Sequence, residues 1–176
     1  MSRLDSTEAR ALVRLQRLAG RPPFTQAAHV LSSAGEHAWV WLALSGAGVV
    51  LDRPRRREWA EVGAAAVVAH GSAVVLKRVV RRPRPTAPGI RVLDATPSRL
   101  SFPSAHASST TAATVAAAPL LAAVPGGGAL LVTAAAAMAT ARLLLGVHYP
   151  SDVSAGALLG IASARVVRRS IGGSGR

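Results

Sequence analysis

The feature that most restricts what this chain can fold into is a series of apolar segments separated by arginine-bearing breaks. They lie at roughly 37–51, 60–76, 105–124, 128–147 and 152–167. Each approaches the ~20 residues a helix needs to cross a hydrocarbon core. Ala, Val, Leu and Gly supply the apolar mass, and aromatic residues make up only 3% of the chain. Such small side chains suit helices that pack closely within a bilayer. The expected fold is all-α, an integral membrane helical bundle of about five transmembrane helices, in one domain over residues 1–176. Trp39 and Trp41 fit an aromatic belt at the membrane surface.

The net charge of +13 is carried almost wholly by arginine, with Lys77 the sole lysine. Basicity of this order invites a nucleic-acid reading. Here, however, long uncharged stretches separate the arginines, which is how headgroup-binding residues are spaced in membrane proteins. The expected partner is therefore a bilayer and no nucleic acid. With no cysteine there is neither a disulfide framework nor a thiolate metal site, and no metal or other cofactor is expected. No secretory signal peptide is evident. Residues 1–22 place Leu12, Leu15, Leu18 and Ala19 at helical spacing among Arg3, Arg10, Arg14, Arg17 and Arg21, behind Asp5 and Glu8 as a helix start. They read as an amphipathic interfacial helix. The basic, glycine-rich end at 168–176 reads as a disordered tail.

If every apolar segment spans, the breaks fall on two sides. DRPRRRE, VPGGG and the C-terminal end lie together on one; the polar loop 77–104 and the short break 148–151 share the other. The polar residues then gather at one mouth of the bundle. That mouth holds three ordered patterns: Lys77 followed seven residues on by Arg84-Pro85; Pro103-Ser104-Ala105-His106; and Arg142 followed by His148 and Asp152. Any one of these arises easily by chance. All three in order, each at the mouth of an apolar segment, is specific.

This triplet resembles the type 2 phosphatidic acid phosphatase family of membrane phosphatases, whose pattern is K-x6-R-P, P-S-G-H and S-R-x5-H-x3-D. Ala105 stands where that pattern has glycine, and Ala141 where it has serine. The resemblance covers residues 77–152. It implies a metal-independent phosphoric monoester hydrolase in which His148 attacks phosphorus to give a phosphohistidine. His106 then protonates the leaving alkoxide and later activates water, while Asp152 orients His148.

The residue types fit that chemistry. Phosphoryl transfer mainly needs positioning and charge stabilisation of the phosphoryl oxygens. Lys77, Arg84 and Arg142 supply three cations, arginine offering a planar fork that suits phosphate. Ser104 can donate a hydroxyl hydrogen bond, and backbone amides near Ala105, at a helix start, can donate more. A carboxylate four residues after His148 would hold its tautomer, and Pro150 suits the first position of a new helix. Arg78, Arg81, Arg82, Glu36 and Tyr149 are candidate substrate contacts. Asp94 is a candidate ligand for a sugar hydroxyl. His37 reads as an interface residue and His70 as a structural one.

The stretches GEHAWVWL, DRPRRREW and LSFPSAHASSTTAA resemble the branch of the family that acts on decaprenylphosphoryl-5-phosphoribose in building cell-wall arabinan. That implies a polyprenyl-linked phospholipid substrate and decaprenylphosphoryl ribose as product. Alternative substrates are a polyprenyl diphosphate and phosphatidylglycerophosphate. An alternative of another class is a non-catalytic protein that binds anionic lipids. The expected location is the plasma membrane, multi-pass, with the site at the interface; the resemblance tilts it to the extracytoplasmic side and the N-terminal arginines to the other. Small residues on most helix faces leave room for a homo-oligomer.

Overall fold

The computed structural model describes residues 3–172. Among them are seven α-helices, two short 3-10 turns and no strand, with one isolated bridge between Pro83 and Leu100.

Helix α1 (Arg3–Ala19) carries Arg17 in its last turn, where the helix dipole favours a cation. It is clamped to the bundle. Ala9, Leu12 and Gln16 are buried, and the Gln16 amide donates to the carbonyls of Arg91 (2.7 Å) and Leu144 (3.0 Å). Helix α2 (Pro22–Gly35) was not foreseen. PPFTQAAHVLSSAG is uncharged and as apolar as α5, and two prolines at its start preset helical φ. A 3-10 turn at Glu36–Ala38, with His37 and Ala38 in the left-handed region (φ 49° and 61°), redirects the chain.

The remaining helices follow the five apolar segments: α3 (Trp39–Leu51), α4 (Arg56–Val80), α5 (Ala105–Ala117), α6 (Gly127–Leu144) and α7 (Pro150–Gly172). Several boundaries differ from expectation: α4 runs on to Val80, so Lys77 lies on the helix rather than in the loop, and α6 ends at Leu144 rather than near 147. α5 stops at Ala117 rather than near 124, because Pro119 has no amide hydrogen to continue the helix. At 1.5 Å per residue it is about 20 Å long. α7 continues through residues 168–172, which the sequence suggested were a disordered tail. Arg168 donates there to the Val115 carbonyl (3.2 Å) in the last turn of α5 and lies 3.7 Å from Glu61, so it satisfies a helix-end acceptor. Residues 173–176 of the expected tail lie outside the described residues. Trp41 also departs from the belt reading: its indole donates inward to Thr110 Oγ1 (3.3 Å), while Trp39 is 65% exposed.

Helix α5 is the axis of the bundle. Ten of its 13 residues are buried, between α4 and α7. The core there is built from Ala65, Ala66, Ala69, Ala112, Ala113 and Ala116 with Val62. On α7, Gly156 and Gly160 press against α5. A Cβ at Gly156 would fall 2.7 Å from the Ser104 carbonyl, and one at Gly160 2.5 Å from that of Ser108. This is close small-residue packing of two helix backbones. A second cluster of Ala28, Ala141, Leu144, Leu145 and Val147 joins α2 to α6.

The breaks sort as expected. At one end Arg55 donates to the Leu120 carbonyl (3.1 Å) and Arg57 to that of Ile171. At the other, the Leu93 amide donates to the Leu145 carbonyl (2.9 Å), bringing the long loop onto the 145–149 break. Arg53–Val80 and Gly127–Leu144 are each long and apolar enough to cross a membrane. Only 39% and 28% of their apolar windows are buried, unlike the core helix of a soluble domain.

Candidate active site

Helix α4 delivers Lys77 one turn before its end. There the buried ammonium donates to the carbonyls of Ser101 (3.0 Å) and Leu100 (3.2 Å). The helix terminates at Arg81, whose left-handed φ of 54° turns its N–H onto the Lys77 carbonyl (2.9 Å). Pro83 and Pro85 then hold the chain extended. Residues 82–84 run beside 99–101, joined by Arg84 N–H to the Arg99 carbonyl (3.2 Å) and Ser101 N–H to that of Arg82 (2.8 Å). Held so, Arg84 donates from Nε to the Ser98 carbonyl (2.8 Å) and from Nη1 to that of Val147 (2.7 Å). Burial, followed by the charge of Arg142, pushes its pKa down to about 10, which still leaves it cationic at neutral pH.

The turn after α6 uses Gly146 at φ 70°, where a Cβ would lie 2.3 Å from the Arg91 carbonyl. It leads directly into His148. The imidazole Nε2 sits 3.3 Å from Arg84 Nη1. Arginine can only donate, so Nε2 carries the lone pair and Nδ1 the hydrogen. Nδ1 lies 3.6 Å from Asp152 Oδ2, within ion-pair reach but longer than a hydrogen bond. Burial drives the His148 pKa down to about 3 against the opposing pull of Asp152, with Arg84 adding to the depression. His148 is therefore neutral at physiological pH. Asp152 is fully buried, with Oδ2 accepting from the Tyr149 amide (2.8 Å) and Oδ1 from Arg82 Nη1 (2.9 Å).

Helix α5 opens beside this pair. The Ser104 oxygen accepts from the Ala107 amide, and its own amide donates to the Asp152 carbonyl (2.9 Å). His106 Nε2 lies 3.1 Å from the Ser32 carbonyl. A carbonyl only accepts, so that nitrogen bears the hydrogen. From α6, buried Arg142 donates to Asp94 Oδ2 (2.9 Å) and to Ser32 Oγ, and Ser32 in turn donates to Asp94 (2.8 Å). Burial alone would raise the Asp94 pKa. The Ser32 hydrogen bond and the Arg142 charge more than offset this, and its net value is lowered.

These side chains enclose one cavity of about 330 Å³. Lys77, Arg84, Ala105, His106, Arg142 and His148 all line it, drawn from three helices and two loops. Ser104 and Asp152 stand just behind its wall. Of the candidate substrate contacts, Glu36 and Arg78 line the cavity and three do not. Arg81 is exposed, just past the end of α4. Arg82 lies between Asp152 and Glu8 (2.7 Å), with its guanidinium 4.2 Å over the ring of Tyr149, which is buried beneath it. Two carboxylates hold Arg82 away from any ligand, and one of them comes from α1.

The cavity also takes in residues the motifs do not mark: Ser32 and Ser33 of α2, Thr96 and Ser98 of the loop, and His70, along with Asp94. The one available signal was that Asp94 is the sole acidic residue in the loop 81–104. Among the described residues no group of three or more His, Asp or Glu side chains is arranged to hold a metal ion.

Comparison with known proteins identifies the family and the fold. Residues 58–176 match the PAP2 superfamily. The chain is 50% identical over 157 residues to a decaprenylphosphoryl-5-phosphoribose phosphatase of Mycolicibacterium smegmatis, covering 89% of this chain and 84% of that one. Its identity to the protein of the same name from Mycobacterium tuberculosis is 48% over 156 residues, covering 89% and 85%. Among solved structures, the fold is similar to a transmembrane PAP2-type phosphatidylglycerolphosphate phosphatase from Bacillus subtilis (TM-score 0.79, 20% identity, covering 100% of this chain and 89% of that one). It is also similar to Aquifex aeolicus LpxE (TM-score 0.70, 20% identity, covering 88% and 92%).

Proposed function

This chain belongs to the PAP2 superfamily, and from that premise we propose that it is a membrane phosphatase that removes the 5-phosphate of decaprenylphosphoryl-5-phosphoribose through a phosphohistidine on His148. The observation that carries the reading is the lone pair of His148 Nε2 in a cavity shared with Lys77, Arg84, Arg142 and His106.

In this mechanism the phosphate enters among the three cations and the first-turn amides of α5, which neutralise its equatorial oxygens. His148 Nε2 attacks phosphorus, and the P–O bond to the sugar breaks. The hydrogen on Nδ1 stays beside Asp152, which stabilises the imidazolium as it forms. His106, entering this step as the imidazolium with its Nε2–H held by the Ser32 carbonyl, gives the Nδ1 proton to the departing ribose oxygen. It then takes one from a water that attacks the phosphohistidine, releasing inorganic phosphate and restoring neutral His148.

The substrate reading is supported by the two relatives at 48–50% identity. It is supported further by the rest of the cavity wall, where the hydroxyls of Ser32, Ser33, Thr96 and Ser98 and the carboxylates of Glu36 and Asp94 match the hydroxyls of a sugar. The membrane reading is supported by the outward apolar surface of α4 and α6, where Val67, Val75, Leu130 and Val132 are each more than half exposed. A surface of this kind is uncommon on a soluble monomer. In this reading α3–α7 cross the plasma membrane and the cavity opens extracytoplasmically.

The deciding experiment compares phosphate release by the purified chain from decaprenylphosphoryl-5-phosphoribose, decaprenyl diphosphate and phosphatidylglycerophosphate. The first should be hydrolysed with the highest kcat/KM, and preference for either other lipid overturns the assignment. The chain has no cysteine of its own. A single cysteine placed within 86–100 should therefore react with an impermeant maleimide in intact cells if the cavity faces outward.

A further inference from the structure

Arg82 lies outside the cavity, yet both ends of its guanidinium are engaged. Nη1 donates to Asp152 Oδ1 (2.9 Å) and to Ser151 Oγ (2.6 Å), and Nη2 donates to Glu8 Oε2 (2.7 Å). Glu8 comes from α1 and does a second job. It accepts from the Ser151 amide (2.6 Å) and the Ser151 hydroxyl (3.0 Å). That amide belongs to the first turn of α7, where no intrahelical acceptor exists and where a carboxylate is favoured by the dipole. The Glu8 and Arg82 side chains are only 11% and 16% exposed. Charge-assisted bonds at these lengths in such a setting are stronger than surface ion pairs.

We propose that Arg82 and Glu8 are positioning residues for the reaction. Glu8, reaching across from α1, fixes both Arg82 and the first turn of α7, and Arg82 fixes the carboxylate of Asp152 that aims His148 at phosphorus. The proposal rests on the reading of His148 as the nucleophile. Asp152 uses one oxygen for Arg82 and the other for the Tyr149 amide, which leaves it no freedom to swing away from the His148 Nδ1 hydrogen. Without Arg82, rotation of the carboxylate would release the ring. Glu8 precedes the region matched to the superfamily, 58–176, so the N-terminal helix supplies this brace from outside the shared domain.

The test uses the full chain in detergent with the best-hydrolysed of the three lipids above. It compares Arg82→Gln, Arg82→Lys and Glu8→Gln, with His148→Ala in parallel. Arg82→Gln should lower kcat about 10- to 100-fold, the usual range for partners that orient a functional imidazole, with KM held within about twofold. Arg82→Lys, which keeps the charge, should recover part of that loss. Glu8→Gln should lower kcat by about threefold to tenfold with KM again unchanged. Unchanged kcat in Arg82→Gln and Glu8→Gln, or losses matched by the unfolded fraction in a thermal melt, overturns the proposal. So does a rise in KM at constant kcat, which would make Arg82 a substrate contact. If Arg82→Gln fails to fold, Arg82→Lys and Glu8→Gln carry the same measurement. Full activity in His148→Ala defeats the nucleophile reading itself. An inactive His148→Ala beside fully active Arg82→Gln and Glu8→Gln defeats only the positioning role.

Discussion

The two sides of the cavity are built differently. On the inner side, Lys77 and Arg84 donate to four backbone carbonyls, those of Leu100, Ser101, Ser98 and Val147. Ser104 is tied to Asp152 through its amide. These groups are held by main chain and helix ends, so a phosphoryl group meets charges that need not reorganise. The outer side is made of short side chains: Ser32, Ser33 and Glu36 at the end of α2, and Asp94, Thr96 and Ser98 on the loop. Glu36 there is 55% exposed. In the proposed mechanism the inner side takes the phosphate of any phosphomonoester, whereas the outer side meets whatever that phosphate is attached to. Arg142 belongs to both, lining the cavity while bound to Ser32 and Asp94.

That division ranks the effects of substitution. His148→Ala removes the proposed attacking atom, and kcat/KM should fall by about 10⁴-fold or more for every lipid tested. Retention of even a tenth of the activity would mean that the inner side does no covalent chemistry. Arg142→Ala should come next, with a loss of about 10²- to 10³-fold, the range seen when one preorganised donor to a developing charge is removed. Because Arg142 also anchors the outer side, its loss should fall unequally on the three lipids, unlike that of His148. Initial rates on the same three substrates check both.

The two sides also differed in how far the chain announced them. The inner side was legible because a lysine, an arginine-proline and two histidines at fixed spacing each mark a helix mouth. Within Arg81-Arg82-Pro83-Arg84 the spacing from Lys77 singled out Arg84, while the parts of Arg81 and Arg82 were not decidable from composition. The left-handed turn at Arg81 and the flanking prolines send only Arg84 into the cavity, and that geometry depends on Arg82 finding Glu8 and Asp152, 74 and 70 positions away. The outer side was hidden for another reason. α2 carries no charged motif and no long apolar run, and owes its place to Ala28 packing on α6 and to the Ser32–Asp94–Arg142 bonds. Those contacts are tertiary, and no local periodicity foretells them.

If the inner side is rigid because α5 and α7 touch backbone to backbone, loosening that contact should disturb both stability and rate. Gly156→Ala places a methyl 2.7 Å from the Ser104 carbonyl, at the start of α5. Overpacking of this kind destabilises by about 1–3 kcal/mol, so the thermal midpoint in detergent should drop and kcat should fall with it. Gly71→Ala is the control. Nothing lies within 4 Å of the added methyl there, and alanine is the better helix former, so the midpoint should hold or rise. A Gly156→Ala protein as stable as its parent would show that α5 and α7 tolerate separation.

Asp94→Asn should give the smallest change in rate and the clearest change in selectivity. The amide keeps the shape of the carboxylate and can still accept from Ser32 and Arg142, so the inner side should stand. What is lost is a negative charge held ionised by those same neighbours. A carboxylate accepts hydrogen bonds from sugar hydroxyls well and repels a second phosphate strongly. The kcat/KM for decaprenylphosphoryl-5-phosphoribose should therefore fall about threefold to tenfold, while that for decaprenyl diphosphate should hold or rise. The ratio of the two would shift about tenfold, or ~1.4 kcal/mol. An equal fall on both lipids would mean that Asp94 serves only to hold Arg142, and the outer side would then have no part in choosing the substrate.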